Sequence, residues 1–235
     1  MKTAFITGAS RGLGKGFVEY FLGQNTLVFA GVRETKDFDK KLASHPNLRI
    51  VKLDVSSDSS VDKSVKAVAR LTNHLDYLIN NAGINRRSAS KGEDSVSLLP
   101  KLDRDAMLEI FNINSVAPMI ILQKFLSLLT SNPSYVINIS SNRASYHDEN
   151  ESTAANYGYR ASKAALNMLT FCSLFDLPKN VRTFAVHPGS VKTDINPTGS
   201  MLPKKQAQKI IDITRNWKKE YNGKFLRFDG SFYPL

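Results

Sequence analysis

The stretch Tyr159-Arg-Ala-Ser-Lys163 puts a phenol and an ammonium four residues apart, on one face of any helix that contains both. A free tyrosine ionises near pH ~10, and a cation within roughly 4 to 6 Å favours the phenolate and draws that value toward neutrality. A tyrosine tuned in this way exchanges a proton with a substrate oxygen. The same spacing also arises by chance on solvated helices, so the pair needs support from elsewhere in the chain. Tyr157 is no competitor, because the residue four positions on is Ala161.

A second chemical feature opens the chain. The apolar run Ala4-Phe5-Ile6 leads into Gly8, Gly12 and Gly14, after which Phe17, Val18, Tyr20, Phe21 and Leu22 follow at helical spacing. Strand, tight turn and helix in that order make a phosphate cradle, since glycine allows close backbone approach and the amides at a helix start favour anionic oxygen. An ordinary strand-to-helix turn has the same glycine content.

These features need elements to hold them. Seven strand-like runs recur at Ala4–Thr7, Leu27–Val32, Arg49–Leu53, Tyr77–Asn80, Tyr135–Ser140, Arg182–Val186 and Lys224–Phe228. Helical patterns fall between them at Gly14–Leu22, Ser60–Thr72, Arg104–Leu129 with a break near Pro118, Tyr157–Phe175 and Lys204–Tyr221. Alternation of this kind predicts a parallel sheet covered on both faces. Two polar stretches, Ile84–Leu102 and Asn142–Asn156, follow strand ends, where open α/β sheets bind ligands. Loops of that length are uncommon unless functional or mobile.

Composition narrows the classes. The chain has 235 residues, 42% hydrophobic and 23% charged, an ordinary globular balance for one domain spanning 1–235. Its single cysteine, Cys172, allows no internal disulfide, and an apolar strand starting near Thr3 leaves no space for a leader peptide. A cytoplasmic protein is expected. The apolar neighbourhood Ile113–Leu129 is interrupted by Asn114, Ser115, Pro118, Gln123 and Lys124, which suits a core helix better than a membrane span. The net charge of +11 is spread over short pairs such as Arg86-Arg87, Lys204-Lys205 and Lys218-Lys219. That pattern points to solvated charge and attraction to an anionic cofactor, with no nucleic-acid partner and no membrane. His187 lacks ligand-type neighbours at useful spacing, so no metal site is expected.

The ordered series Thr7-Gly8-Ala9-Ser10-Arg11-Gly12-Leu13-Gly14, Asn80-Asn81-Ala82-Gly83, Asn114, Ile139-Ser140-Ser141, Tyr159-x-x-x-Lys163 and Pro188-Gly189 resembles the short-chain dehydrogenase/reductase family nearly end to end. The stretches YRASKAALNML, HPGSVKTDI and GKFLRFDG look like its carbonyl-reductase, sniffer-type branch. The resemblance implies a single doubly wound Rossmann-type domain with a seven-stranded parallel sheet and a homodimer or homotetramer. It implies Tyr159 as the general acid, Lys163 as its tuner and a ribose ligand, Ser141 as the donor to the carbonyl oxygen, and Asn114 as part of a proton relay. Ser140 is the alternative to Ser141, and a purely structural hydrogen-bonding role is the alternative for Asn114.

For the cofactor, the resemblance implies contacts from Gly8, Ser10, Arg11, Gly12, Leu13 and Gly14 in the turn. It adds Asp54 and Val55 near adenine, Asn81, Ala82 and Gly83 near the adenosine ribose, and Pro188, Gly189, Val191 and Thr193 near the nicotinamide. The alternative for Asp54 is a turn or capping residue before SSDSS. Arg33 stands at the end of the second strand, where a chain preferring NAD usually places an acid for the ribose 2′-hydroxyl. With Arg11 it predicts NADP, as NADPH in preference to NADH, because a guanidinium pairs with phosphate through two parallel hydrogen bonds. Ser190 stands where relatives often carry an aromatic, and the 84–102 and 142–156 segments look long. The expected activity is reduction of an aldehyde, ketone or quinone-like carbonyl, the alternative being a non-catalytic dinucleotide sensor.

Overall fold

Thr3–Thr7 is buried throughout and forms strand β1, whose neighbouring side chains point to opposite layers: Ala4 and Ile6 into one, Phe5 into the other. The elements that follow are α1 (Gly12–Leu22), β2 (Leu27–Val32), α2 (Lys40–Ala43), β3 (Leu48–Lys52), α3 (Asp58–Ala69) and β4 (Tyr77–Asn80). After them come α4 (Asp94–Ser97), α5 (Arg104–Phe111), α6 (Ala117–Phe125), β5 (Ser134–Ile139), α7 (Tyr157–Ser173), β6 (Val181–His187), α8 (Pro203–Arg215) and β7 (Phe225–Arg227). This computed structural model describes residues 1–147, 156–193 and 196–235.

All seven strands join one parallel sheet in the order β3-β2-β1-β4-β5-β6-β7. The chain winds outward from β1 in one direction and then from β4 in the other, which opens a crevice where the two halves part. On one face, α1 and α8 bring Phe17, Val18, Phe21, Ile210 and Ile211 against Ile6, Val28 and Ile137. On the other, α3 and α6 bring Val61, Val68, Ile121 and Phe125 against Phe5, Phe29, Leu78 and Val136. Each such side chain adds roughly 1.5 to 3 kcal/mol of burial. The doubly wound fold expected from the sequence is the fold observed.

The differences are local. β5 ends at Ile139 rather than Ser140, and α8 ends at Arg215, with a separate 3-10 turn at Lys219–Tyr221. The predicted break near Pro118 is a π-helical segment over Asn112–Val116, in which the Ala117 N–H donates to the Asn112 carbonyl, five residues back. Proline explains the widening, because residue 118 has no N–H for the carbonyl four residues before it. By length and composition Arg104–Leu128 would cross a membrane, yet Ile110, Ile121, Leu122 and Phe125 are core residues. The 84–102 stretch is folded: α4 and two 3-10 turns close over a small cluster of Ala89, Val96, Ala106 and Ile110. Of the 142–156 stretch, Asn142–Ala144 is a 3-10 turn, and 148–155 lie outside the described residues, as does Asp194 of the HPGSVKTDI stretch.

Candidate active site

The glycine turn leaves β1 through Gly8 at φ +63° and enters α1 at Gly12, φ +53°, both in the left-handed region that glycine adopts without strain. A Cβ at Gly8 would stand 2.9 Å from the Ala82 Cα, and one at Gly12 would stand 3.0 Å from the Thr193 Cγ2. The turn is held from β4's end. Thr7 Oγ1 accepts from the N–H groups of Asn81 at 3.0 Å and Ala82 at 2.9 Å, while Asn81 Nδ2 donates to the Thr7 carbonyl at 2.9 Å and the Gly8 carbonyl at 3.1 Å. Thr7 thus fixes the spacing between the turn and the NNAG segment, a role that only the register of β1 beside β4 reveals.

Beside this turn opens a cleft of about 1680 Å³. Its wall includes Gly8, Ser10, Arg11, Gly12, Leu13, Arg33, Asp54, Val55, Asn81, Ala82 and Gly83, together with Ser141, Tyr159, Lys163, Pro188, Gly189, Val191 and Thr193. Two expected residues do not line it. Gly14 packs behind the turn, where a Cβ would come 2.6 Å from Asn81 Nδ2, and Asn114 is fully buried. Space, positive-φ glycines and basic residues at the rim fit a dinucleotide.

Asp54 makes the turn given as its alternative role and also lines the cleft. Its Oδ1 accepts from the Ser56 hydroxyl at 2.6 Å and amide at 3.0 Å, a turn that precedes the Ser57 cap of α3, while the residue also forms cleft wall. The Ser56 hydrogen bond, helped by the charge of Arg33, holds its carboxyl below the ordinary carboxylate range. Arg33 itself is exposed on the rim, directly after β2.

The residues expected to be catalytic gather where β5 ends. The Ser140 N–H closes the sheet ladder onto the Val186 carbonyl at 2.8 Å, so Ser141 is the first residue to leave the sheet. Its Oγ accepts the Arg143 N–H at 3.2 Å and donates to Asn142 Oδ1 at 3.3 Å, near enough to the Tyr159 phenol to pull its pKa down. Of the two serines, Ser141 is the one that acts on the Tyr159 phenol, whereas the Ser140 hydroxyl is buried without a partner. His187 steadies the same turn, its Nδ1 accepting the Asn142 N–H at 3.1 Å, which accords with a structural histidine.

Tyr159 and Lys163 ride on α7, whose inward face is Gly158, Ser162, Lys163, Leu166, Asn167 and Thr170. Gly158 lets the first turn press against α4 and α5, since a Cβ there would meet Met107 Sδ at 3.1 Å and Val96 Cβ at 3.2 Å. Lys163 is 4% exposed, donates to the Ile139 carbonyl at 2.8 Å, and lies 5.9 Å from the Tyr159 ring centre. Burial brings its pKa down to about 8. Tyr157 is exposed.

The expected fall in the Tyr159 pKa is not what the geometry gives. Burial raises it, the Ser141 hydrogen bond and the Arg143 charge pull back in part, and Lys163 directs its proton to Ile139 instead. Arg143, two residues past Ser141, is a part of the site that sequence reading did not single out. Asn114 lies within the π segment, its Oδ1 accepting the Ile84 N–H at 2.9 Å and its Nδ2 donating to the Ile84 carbonyl at 2.8 Å and Ser162 Oγ at 3.0 Å. Its side chain performs the structural role given as the alternative, although Gly83 alone separates it from Lys163: a Cβ there would stand 3.2 Å from Asn114 Oδ1 and 3.6 Å from Lys163 Nζ.

Comparison with known proteins agrees with this geometry. The family model for short chain dehydrogenase matches residues 2–201. The short chain dehydrogenase gsfK of Penicillium aethiopicum is 32% identical over 264 residues, covering 97% of each chain. Among solved structures, the NADPH-bound carbonyl reductase from chicken fatty liver superposes with a TM-score of 0.86 at 31% identity, covering 100% of this chain and 99% of that one. The carbonyl reductase Sniffer of D. melanogaster gives 0.87 at 27% identity, with both chains covered completely. With its glycine turn, its doubly wound sheet and a family match over most of its length, this chain belongs to the short-chain dehydrogenase family of oxidoreductases.

Proposed function

We propose that the chain is an NADPH-dependent reductase of aldehydes, ketones or quinone-like carbonyl compounds. The observation that carries this reading is the meeting of Ser141, Tyr159 and Lys163 on one wall of a cleft that begins at the glycine turn. The dinucleotide, when bound, supplies the hydride. Tyr159 gives its proton to the carbonyl oxygen, and its raised pKa keeps that proton in place at neutral pH. Ser141 donates to the same oxygen and stabilises negative charge that develops there. Lys163, close under the ring, favours the phenolate that remains after Tyr159 has given its proton. Arg143 adds a second positive charge beside it.

Arg11 and Arg33 on the rim would pair with the adenosine 2′-phosphate, which favours NADPH. Asn81, Ala82 and Gly83 would line the adenosine ribose, and Val191 and Thr193 the nicotinamide side. The likeness to a carbonyl reductase seen with NADPH bound supports the same cofactor and substrate class. A cytoplasmic setting and a homodimer or homotetramer complete the reading; light scattering at the monomer mass would remove the latter.

The test is consumption of NADPH, followed by its absorbance, against a panel of aldehydes, ketones and quinones. Turnover with NADPH that exceeds turnover with NADH is expected. Tight NADPH binding without turnover on any carbonyl would favour the sensor instead.

A further inference from the structure

Beneath the catalytic residues, the contact between α7 and the sheet holds an unusual number of polar side chains. Asn80 and Asn138 stand opposite one another on β4 and β5 and are joined by an Nδ2–Oδ1 hydrogen bond of 2.8 Å. Asn138 Nδ2 then donates to Thr170 Oγ1 of α7 at 2.9 Å, and Thr170 donates to the Leu166 carbonyl at 2.7 Å. Ser140 lies two residues beyond Asn138 and shares its side of the sheet; Thr183 of β6 pairs with Val136, two residues before it, and shares that side too. On α7, Lys163, Asn167 and Thr170 fall on one face, the inward one.

Five atoms on this side of the sheet and on the inward face of α7 are buried without a hydrogen-bond partner: Asn167 Nδ2 and Oδ1, Asn80 Oδ1, Ser140 Oγ and Thr183 Oγ1. The four residues are 0 to 5% exposed. A buried amide with neither of its ends bonded opposes folding, and leucine has the same branched skeleton as Asn167 without that penalty. Buried polar groups too far apart to bond one another are met by internal water, which donates and accepts and so suits both ends of an amide and a hydroxyl alike.

We propose that the contact between α7 and the sheet is a hydrated seam, in which ordered internal water bridges Asn167 to the oxygens of Ser140, Asn80 and Thr183, making Asn167 a positioning residue for the helix that carries Tyr159 and Lys163. Asn167 sits one turn beyond Lys163, and Ser140 immediately precedes Ser141. The seam thus ties α7 to β5 next to the point where Lys163 Nζ meets the Ile139 carbonyl. Water then joins the direct bonds from Lys163 to Ile139 and from Asn138 to Thr170 in setting the spacing of tyrosine, lysine and serine.

Two measurements decide it, and only the second rests on the proposed reductase activity. In a crystal structure of the full chain at a resolution that shows ordered solvent, and in water-to-amide cross-relaxation in solution, at least one long-lived water should contact the Asn167 amide and one of the three oxygens. Direct protein partners for that amide, or a dry seam, would overturn the proposal whatever the activity. Asn167→Leu should lose the water and lower kcat about 10-fold, with the KM for NADPH changed less than about 3-fold, because small misplacements of reacting groups are costly in rate. Asn167→Ser, which is smaller but leaves room for a further water, should recover most of the kcat. A serine variant as impaired as the leucine one would show that Asn167 serves packing alone. If the wild type reduces no carbonyl, the reductase reading fails while the water measurement still stands.

Discussion

Lys163 holds its ammonium 5.9 Å from the centre of the Tyr159 ring yet gives its hydrogen bond to the Ile139 carbonyl, 2.8 Å away. The lysine therefore stands over the tyrosine ring while its own hydrogen bond anchors it to the sheet.

That anchoring carries a pH signature. Burial places the Lys163 pKa at about 8 against an ordinary 10.5, so the folded protein disfavours the ammonium. Below pH 8 both folded and unfolded chains hold this proton and the whole cost is present. Between about 8 and 10.5 the unfolded chain binds more protons, and stability from this group rises with pH by up to about 3 kcal/mol. Lys163→Met removes the cost but also the bond to Ile139. The stability of the variant relative to wild type should therefore be greatest below pH 8 and decline by pH 10.5. Denaturant unfolding across that range measures it, and parallel curves for the two proteins would contradict the burial account.

Tyr159→Phe keeps the ring and removes the proton. Turnover should fall by ~10² to 10⁴, the usual reach of general acid catalysis, while NADPH binding measured by fluorescence stays near wild type. Ser141→Ala should lower kcat as well, by losing the donor to the carbonyl oxygen. If Tyr157→Phe rather than Tyr159→Phe abolished turnover, the assignment would be off by two residues on α7.

Arg33→Asp should reverse the order of affinity for NADPH and NADH. A carboxylate at the end of β2 would repel a 2′-phosphate and accept from a 2′-hydroxyl, and Asp54, already within reach of the Arg33 charge, would add to the repulsion. Titration calorimetry with both dinucleotides reads the ratio, which should move by about tenfold or more. An unchanged ratio would mean that the rim arginines do not read the 2′ position.

Gly8→Ala tests the cradle. Alanine at φ +63° is strained, and its Cβ would press on Ala82, so a loss of about 1 to 3 kcal/mol in stability is expected together with weaker dinucleotide binding. Thermal unfolding with and without NADPH separates the two effects. A variant with wild-type melting temperature and affinity would show that the turn tolerates a side chain.

Much of this was legible in the sequence, for a physical reason. Strands buried on both faces read as near-continuous apolar runs, so β1, β2 and β4 declare themselves, and residues just past their ends fall into the crevice by topology alone. What stayed hidden depends on contacts between distant segments. The spacing of Tyr159 and Lys163 suggested a lowered tyrosine pKa, but burial, which no local pattern reports, raises it. That both ends of the Asn114 amide are taken up by Ile84 is likewise visible only in the fold. The 84–102 stretch read as a polar loop because α4 is a single turn, too short to show a helical period.

The widened turn at Asn112–Val116 fixes the length of the chain at this place. The five-residue step takes in one residue more than an α-helical turn, so removing one residue would close the segment to the four-residue step, with the helices on either side kept in phase and the residues within it re-aimed. Asn114 would lose its grip on Ile84, and the cleft wall at Asn112 and Ile113 would turn elsewhere. Substitutions here change a side chain, but a single deletion would change the frame in which the site is drawn, and length is thus under tighter constraint than composition.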